Sequence, residues 1–285
     1  MSQIAFLGTG LLGAAFVQGL LARGTPVTCW SRTSYKTVPL GELGAQVAAT
    51  PAEAVAGASR VHICVKDDEA VDAVIAKMID AIPPDAVIID HTTVSPGGAA
   101  QRGEMLASRG LGFVHAPCFM SPAAAKSGGG MMLAAGPRAA FAKIEDALHR
   151  MTGDLWYLGE DPRRAAGMKL MGNAMLVAIA AGLADTITIG AGLGITSKDA
   201  HGLLARMKPG SAIDVRGRRM AEGDYDPTFE LTMARKDMGL MLDAAGDRPL
   251  AALAAIAARA DALIERGLGT KDLGVLAVDV VPSRT

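Results

Sequence analysis

The run GTGLLG, with Gly8, Gly10 and Gly13, stands directly behind an apolar stretch, QIAFLG (3–8), and ahead of a helical one, Leu11–Arg23. A strand that turns at once into a helix through three glycines leaves few choices of fold. The first glycine permits the tight turn, the second lets an anion approach the backbone, and the third lets helix and strand pack closely. The free N–H groups of the helix start attract negative charge. Such a turn can be purely structural. In this strand–turn–helix setting, however, Gly8, Thr9, Gly10, Leu11, Leu12 and Gly13 read as a cradle for a dinucleotide pyrophosphate.

The segments that follow repeat the pattern. Short apolar runs at 26–30 (PVTCW), 60–65 (RVHICV), 86–90 (AVIID), 112–117 (GFVHAP), 130–136 (GMMLAAG) and 154–159 (DLWYLG) alternate with helical stretches such as Ala70–Ala81. Alternation of this kind predicts an α/β domain built on a Rossmann-like, doubly wound parallel sheet over residues 1–160. Asp161 then offers an N-cap and Pro162 a first helical position. No breaker follows until Gly192 and Gly194, which predicts a helix over 161–194 about 45 Å long. An element of that length should join or pack domains. Strand signals fade beyond it, and 250–266 reads helical, so residues 195–285 are expected to form an all-helical domain. Gly128–Gly130 reads as a loop.

The second cofactor clue is a missing carboxylate. NAD-binding units place an acidic residue about 20 residues beyond the glycine turn, on the ribose 2′-hydroxyl. Here the second strand ends in CWSRTSYK, and Arg32 offers a permanently charged planar fork for a 2′-phosphate. Ser31 and Thr33 add donors, with Lys36 near. A solvated arginine is the alternative, but the missing acid favours NADP (NADPH) over NAD. Val65 and Lys66, at the end of the RVHICV strand, should border the same cofactor, although a loop lysine is often only solvated.

Composition excludes several classes of function. The 285 residues carry a formal net charge of −1, with no basic footprint for nucleic acid or an anionic membrane surface. The longest uncharged apolar run, Leu170–Ala184, falls short of a membrane span. The N-terminus enters a strand without a basic or cleavable leader, so a cytoplasmic location is expected. Cys29, Cys64 and Cys118 are widely spaced without a CxxC pair and read as reduced core thiols. The five histidines show no metal-ligand spacing. His91 and His115 read first as hydrogen-bonded residues at strand ends, and the RGRRM run (Arg216–Met220) as a solvated helix face or a subunit contact.

Inside the long helix, GMKLMGNAML (167–176) places Lys169 and Asn173 one turn apart on one face. A lysine there can snorkel, its stem on apolar surface and its ammonium in water. Alternatively it is partly desolvated in a cleft between domains. Burial lowers a lysine pKa towards the working pH and makes it a better proton donor.

With these residues placed, the chain resembles the β-hydroxyacid dehydrogenase family, which includes 3-hydroxyisobutyrate dehydrogenases, glyoxylate and succinic semialdehyde reductases and, more distantly, imine reductases. Four segments carry the resemblance in order: FLGTGLLG, DHTTVSP (90–96), GMKLMGN (167–173) and FELTMARKDMGL (229–240). In the second, Thr92 takes a serine position. In the third, Lys169 and Asn173 match, whereas Gly172 replaces an asparagine. A further segment departs. Where the family carries a Ser-Gly-Gly loop for a substrate carboxylate, HAPCFMSP has Phe119, Met120 and Ser121, which points to a less polar or neutral substrate.

The resemblance implies an NADPH-dependent reductase of a short aldehyde or oxo acid, running in reverse as a hydroxyacid dehydrogenase, with Lys169 as proton donor and Asn173 beside it. It places Thr92, Phe119, Met120 and Ser121 near the substrate, Thr93 by the nicotinamide and Lys236 near the cofactor. Thr92 and Thr93 can equally be strand-end caps, and Lys236–Asp237 a surface ion pair. Imine reductases typically replace this lysine, so Lys169 favours carbonyl chemistry over imine reduction. Lys169 and Asn173 together also argue against a non-catalytic NADP-binding sensor or scaffold. The helical C-terminal part fits a homodimer or higher homo-oligomer.

Overall fold

Side chains along a strand point alternately to opposite faces, and in this chain both faces are apolar. In strand β1 (Ile4–Leu7), Ile4 and Phe6 join one core cluster while Ala5 and Leu7 join another. The same division splits Val87 and Ile89 from Ile88 in the strand Val87–Asp90. A strand apolar on both sides belongs inside a sheet covered by helices on both faces. The computed structural model, which describes residues 3–283, has that architecture.

Six strands form one parallel sheet: β1, β2 (Val27–Trp30), β3 (Gln46–Val47), β4 (Arg60–Ile63), β5 (Val87–Asp90) and β6 (Gly112–His115), in the order β3-β2-β1-β4-β5-β6. The order reverses between β1 and β4, and their carboxyl ends open the crevice where such sheets bind ligands. The helices Leu11–Ala22 and Asp68–Met78 begin at that edge. The last two expected strands do not join this sheet. Met131–Ala134 (β8) and Asp154–Tyr157 (β9) pair with each other in parallel, and the two-residue strand Cys118–Phe119 (β7) pairs antiparallel to β8. The reason is pairing: an isolated bridge between His115 and Ala135 hands the chain over to this second, three-stranded sheet.

The long helix runs from Pro162 to Gly192, with Asp161 accepting from the Arg163 N–H at its start (3.0 Å). The described chain groups into two compact units, Met1–Asn173 and Ala174–Thr285, so the division falls inside this helix. In the second unit the helices Ser197–Met207, Leu231–Ala245 and Leu253–Glu265 follow. Asp185 ties the long helix into that unit. Its carboxylate accepts from the N–H groups of Ala251, Ala252 and Leu253 (2.5, 3.0 and 2.8 Å), the otherwise uncapped start of the Leu253–Glu265 helix. Two of the three RGRRM arginines are similarly engaged, Arg216 with Asp272 (3.2 Å) and Arg219 with Asp224 (2.9 Å). By length and composition alone, the complete Pro162–Gly192 helix is apolar enough to cross a membrane, although its uncharged run is shorter.

Beneath the first sheet lies a polar seam. His62, His91 and His115 are all buried, and His62 and His91 stack against Phe6. The Nδ1 of His91 faces the Ala116 carbonyl at 2.7 Å, so that nitrogen carries the proton and donates. Its Nε2 then accepts from the His62 Nδ1–H at 2.9 Å. Both rings are thus fixed as neutral tautomers. Burial, with His91 and Arg60 as like-charge neighbours, holds His62 well below its ordinary pKa. Burial also lowers His91 to about 4, despite the Ala116 carbonyl and Asp90 favouring its charged form.

These groups give stability a defined pH dependence. Between the unfolded value near 6.5 and the depressed folded values, the unfolded chain binds more protons, so stability rises with pH. It is fully present above pH 6.5 and declines on acidification, by up to about 1.4 kcal/mol per pH unit for each histidine. Urea midpoints measured at pH 7, 6 and 5 should fall in that order, and His62→Phe should flatten the trend. A midpoint constant from pH 7 to 5 would contradict the assignment.

Candidate active site

The turn after β1 is shaped by contact. Gly8 has φ +98°, and a Cβ on it would lie 2.2 Å from the Cys64 carbonyl oxygen. A Cβ on Gly13 would meet the Gly8 carbonyl oxygen at 2.0 Å. The turn is therefore wedged between the ends of β1 and β4 with no room for side chains at either position. Gly10, in contrast, has open space beside it and is the N-cap of the Leu11–Ala22 helix, without a side-chain cap. The first N–H groups of that helix are left for an anion.

The turn forms one wall of a cleft of about 450 Å³. Gly8, Thr9, Gly10, Leu11, Leu12 and Gly13 line it together with Ser31, Arg32, Thr33, Val65, Lys66, Thr92 and Thr93. Every residue expected at the cofactor from the first sheet is thus gathered in one place. Sequence reasoning missed Trp30 and Lys77, which also line the cleft; Trp30 was in view as the last residue of its strand.

The cleft fits an NADP-type dinucleotide on three counts. The buried Thr9 hydroxyl has no hydrogen-bond partner within the described chain. Four cations line the cleft (Arg32, Lys36, Lys66 and Lys77) and no carboxylate does. Arg32, exposed at the end of β2, has no ion-pair partner among the described residues, whereas Lys66 leans on Asp67 at 3.3 Å. Thr92 is already engaged: its hydroxyl accepts from the Val65 N–H (3.1 Å), and its own N–H donates to Asp90 (2.9 Å). That pairing ties the ends of β4 and β5 together. Thr93 is exposed to the cleft.

A second cluster gathers around Lys169. The side chain is only 8% exposed, and its Nζ donates to the Cys118 carbonyl oxygen at 2.7 Å. It also lies 3.9 Å from the centroid of the Phe119 ring. A desolvated ammonium–ring contact of this kind contributes about 1–2 kcal/mol. The lysine does not snorkel. Burial lowers its pKa from the ordinary lysine value, opposed by Cys118. Burial also pushes the neighbouring thiols up, Cys64 to about 12 and Cys118 further, so both stay protonated. Asn173 is half-buried one turn along, and its side chain makes no hydrogen bond among the described residues.

The loop residues separate in role. Phe119 faces Lys169, and Met120 packs against the first core cluster and over Gly130. Ser121 accepts from the Ala124 N–H at 3.2 Å and caps the short helix Pro122–Ser127. Lys236 belongs to the second unit, where it is exposed and paired with Asp237 at 2.8 Å. The Cys118 carbonyl is the partner that sequence reasoning missed, since a main-chain acceptor leaves no mark on residue identity.

A nicotinamide dinucleotide-binding protein is what this fold and cleft define. A family profile described as the NAD binding domain of 6-phosphogluconate dehydrogenase matches residues 3–159. A second, described as the NAD-binding of NADP-dependent 3-hydroxyisobutyrate dehydrogenase, matches residues 164–277. The chain belongs to this 6-phosphogluconate and 3-hydroxyisobutyrate dehydrogenase-like family of oxidoreductases, and its cofactor is NADP. It is 27% identical to the uncharacterized oxidoreductase YfjR of Bacillus subtilis (strain 168), over 96% of this chain and 98% of that one. It is 30% identical to the cytokine-like nuclear factor N-PAC of Xenopus tropicalis over 86% of this chain, and spans 46% of that longer protein. Among solved structures, the imine reductase of Streptomyces aurantiacus shares the fold, with TM-score 0.88 at 23% identity, covering 98% and 99% of the two chains. So does a reductive aminase from Aspergillus terreus in complex with NADPH and ethyl levulinate, with TM-score 0.88 at 23% identity and coverage of 97% and 98%.

Arg32→Ala removes the charged fork expected at the 2′-phosphate. NADPH affinity should fall about 10- to 100-fold, the weight of a charge-assisted hydrogen bond, while NADH affinity changes little. Titration of both nucleotides by fluorescence checks this; equal losses would remove Arg32 from that role.

Proposed function

We propose that the chain reduces a short carbonyl compound, an aldehyde or oxo acid of the glyoxylate or succinic semialdehyde kind, and in reverse oxidises the corresponding hydroxy compound. The observation that carries this reading is the buried Lys169 ammonium, held by the Cys118 carbonyl with donor capacity to spare. Bound NADPH supplies the hydride that reaches the carbonyl carbon. Negative charge then develops on the carbonyl oxygen, where Lys169 Nζ stabilises it and delivers the proton. The Asn173 side-chain amide, free of partners among the described residues, donates to the same oxygen or orients the substrate. Phe119 and Met120 give the substrate an apolar wall in place of a carboxylate clamp, which favours neutral or weakly polar carbonyls.

Imine reduction is the second reading. It draws support from the imine reductases that share the fold and from the same apolar wall. Cyclic imines supplied beside short aldehydes, with NADPH and NADH in parallel, separate the two chemistries.

We further propose that a second copy of the chain covers the long helix, around whose circumference Met171, Met175, Leu176 and Val177 are all at least half exposed. Continuous apolar exposure on this scale marks an interface. Light scattering behind size exclusion should give twice the chain mass or a higher multiple; a monomer at micromolar concentration would sink the proposal.

Replacing Lys169 with Ala should lower turnover on the order of 10²–10⁴-fold, the usual weight of a general acid, while NADPH affinity is largely kept. Turnover unaffected by the change would dismiss Lys169 as the proton donor.

A further inference from the structure

Two residues that depart from the family-like sequence pattern, Phe119 in the loop and Gly172 in the long helix, meet in space. A Cβ on Gly172 would lie 2.3 Å from Cζ and 2.7 Å from Cε1 of Phe119. The ring therefore occupies the volume into which any side chain at position 172 would project. The same ring lies 3.9 Å from Lys169 Nζ, and Lys169 and Gly172 are three residues apart on one helix face. The carbonyl that accepts from Lys169 belongs to Cys118, the neighbour of Phe119 in the same two-residue strand.

We propose that Phe119 is a positioning residue for Lys169, and that position 172 is glycine so that the ring can lie there. An ammonium has three donors. The Cys118 carbonyl takes one, and the negative face of the ring attracts the cation without accepting its proton as a base would. A serine or asparagine at either position would compete with substrate for those donors. The aromatic wall holds the charge in place and leaves the remaining N–H directions for the reacting oxygen. Glycine within a helix is disfavoured relative to alanine, and the close approach of the ring accounts for its presence here.

The inference rests on Lys169 being the proton donor, and its test separates the two ideas. Phe119→Leu keeps apolar volume and removes the π-face. It should lower kcat about 10- to 100-fold, the scale of a misplaced catalytic group, with a smaller change in KM and unchanged NADPH affinity. Gly172→Ala, which displaces the ring, should lower kcat similarly, and the Phe119→Leu/Gly172→Ala double variant should be no worse than the poorer single one. A Phe119→Leu enzyme with wild-type kcat, or losses that multiply in the double variant, would overturn the proposal. If Gly172→Ala does not fold, as judged by NADPH binding, the kcat and KM of Phe119→Leu decide alone. Should Lys169→Ala retain turnover, the proton-donor reading fails, and positioning is read without turnover. Modification of Lys169 by trinitrobenzenesulfonate, mapped by peptide mass, should then be several-fold faster in Phe119→Leu than in wild type; equal rates refute the positioning role.

Discussion

The contact between the Gly8 turn and the Cys64 carbonyl is the constraint from which the rest of the first unit follows. It brings the ends of β1 and β4 so close that neither Gly8 nor Gly13 can carry a side chain. The Leu11–Ala22 helix then starts at the mouth of the crevice, its N–H groups uncapped. The same crossing point puts Cys64–Lys66 on the facing rim, and the Thr92 hydroxyl on the Val65 N–H ties the next strand to it. Cofactor recognition is a by-product of how tightly two parallel strands are joined.

Much of this was legible in the sequence because it is local. Seven apolar runs correspond to strands, with ends trimmed by one or two residues, and the long helix begins at Pro162 and ends at Gly192. Apolar runs alternating with helical stretches told of a doubly wound parallel sheet, and the glycine spacing told of the turn. The two-residue strands Gln46–Val47 and Cys118–Phe119 were not legible, being too short to show a period. Nor was the partition into two sheets, because apolarity says that a strand is buried but not which neighbour it pairs with.

The same division applies to the site. Residues contributed by the glycine turn and by strand ends were found from sequence, since their positions follow from the fold. Ser121 was misleading: followed by Pro122, it carries a helix-start signal, and its hydroxyl caps that helix. Phe119 and Gly172 looked like two unrelated losses from the family pattern. Only the fold reveals them as one arrangement, since the pocket in one element is filled by a ring from another.

The charge of the cleft beside the glycine turn has a consequence of its own. Arg32, Lys36, Lys66 and Lys77 surround it without a carboxylate among the lining residues, and the Thr9 hydroxyl is left unpaired. Like charges gathered in one cleft repel one another, a repulsion relieved at Lys66 by Asp67 and strongest at low ionic strength. A nucleotide's phosphates would bring negative charge to the cations of that cleft. Dissolved salt competes for the same cations, so a nucleotide is held there most firmly in dilute buffer.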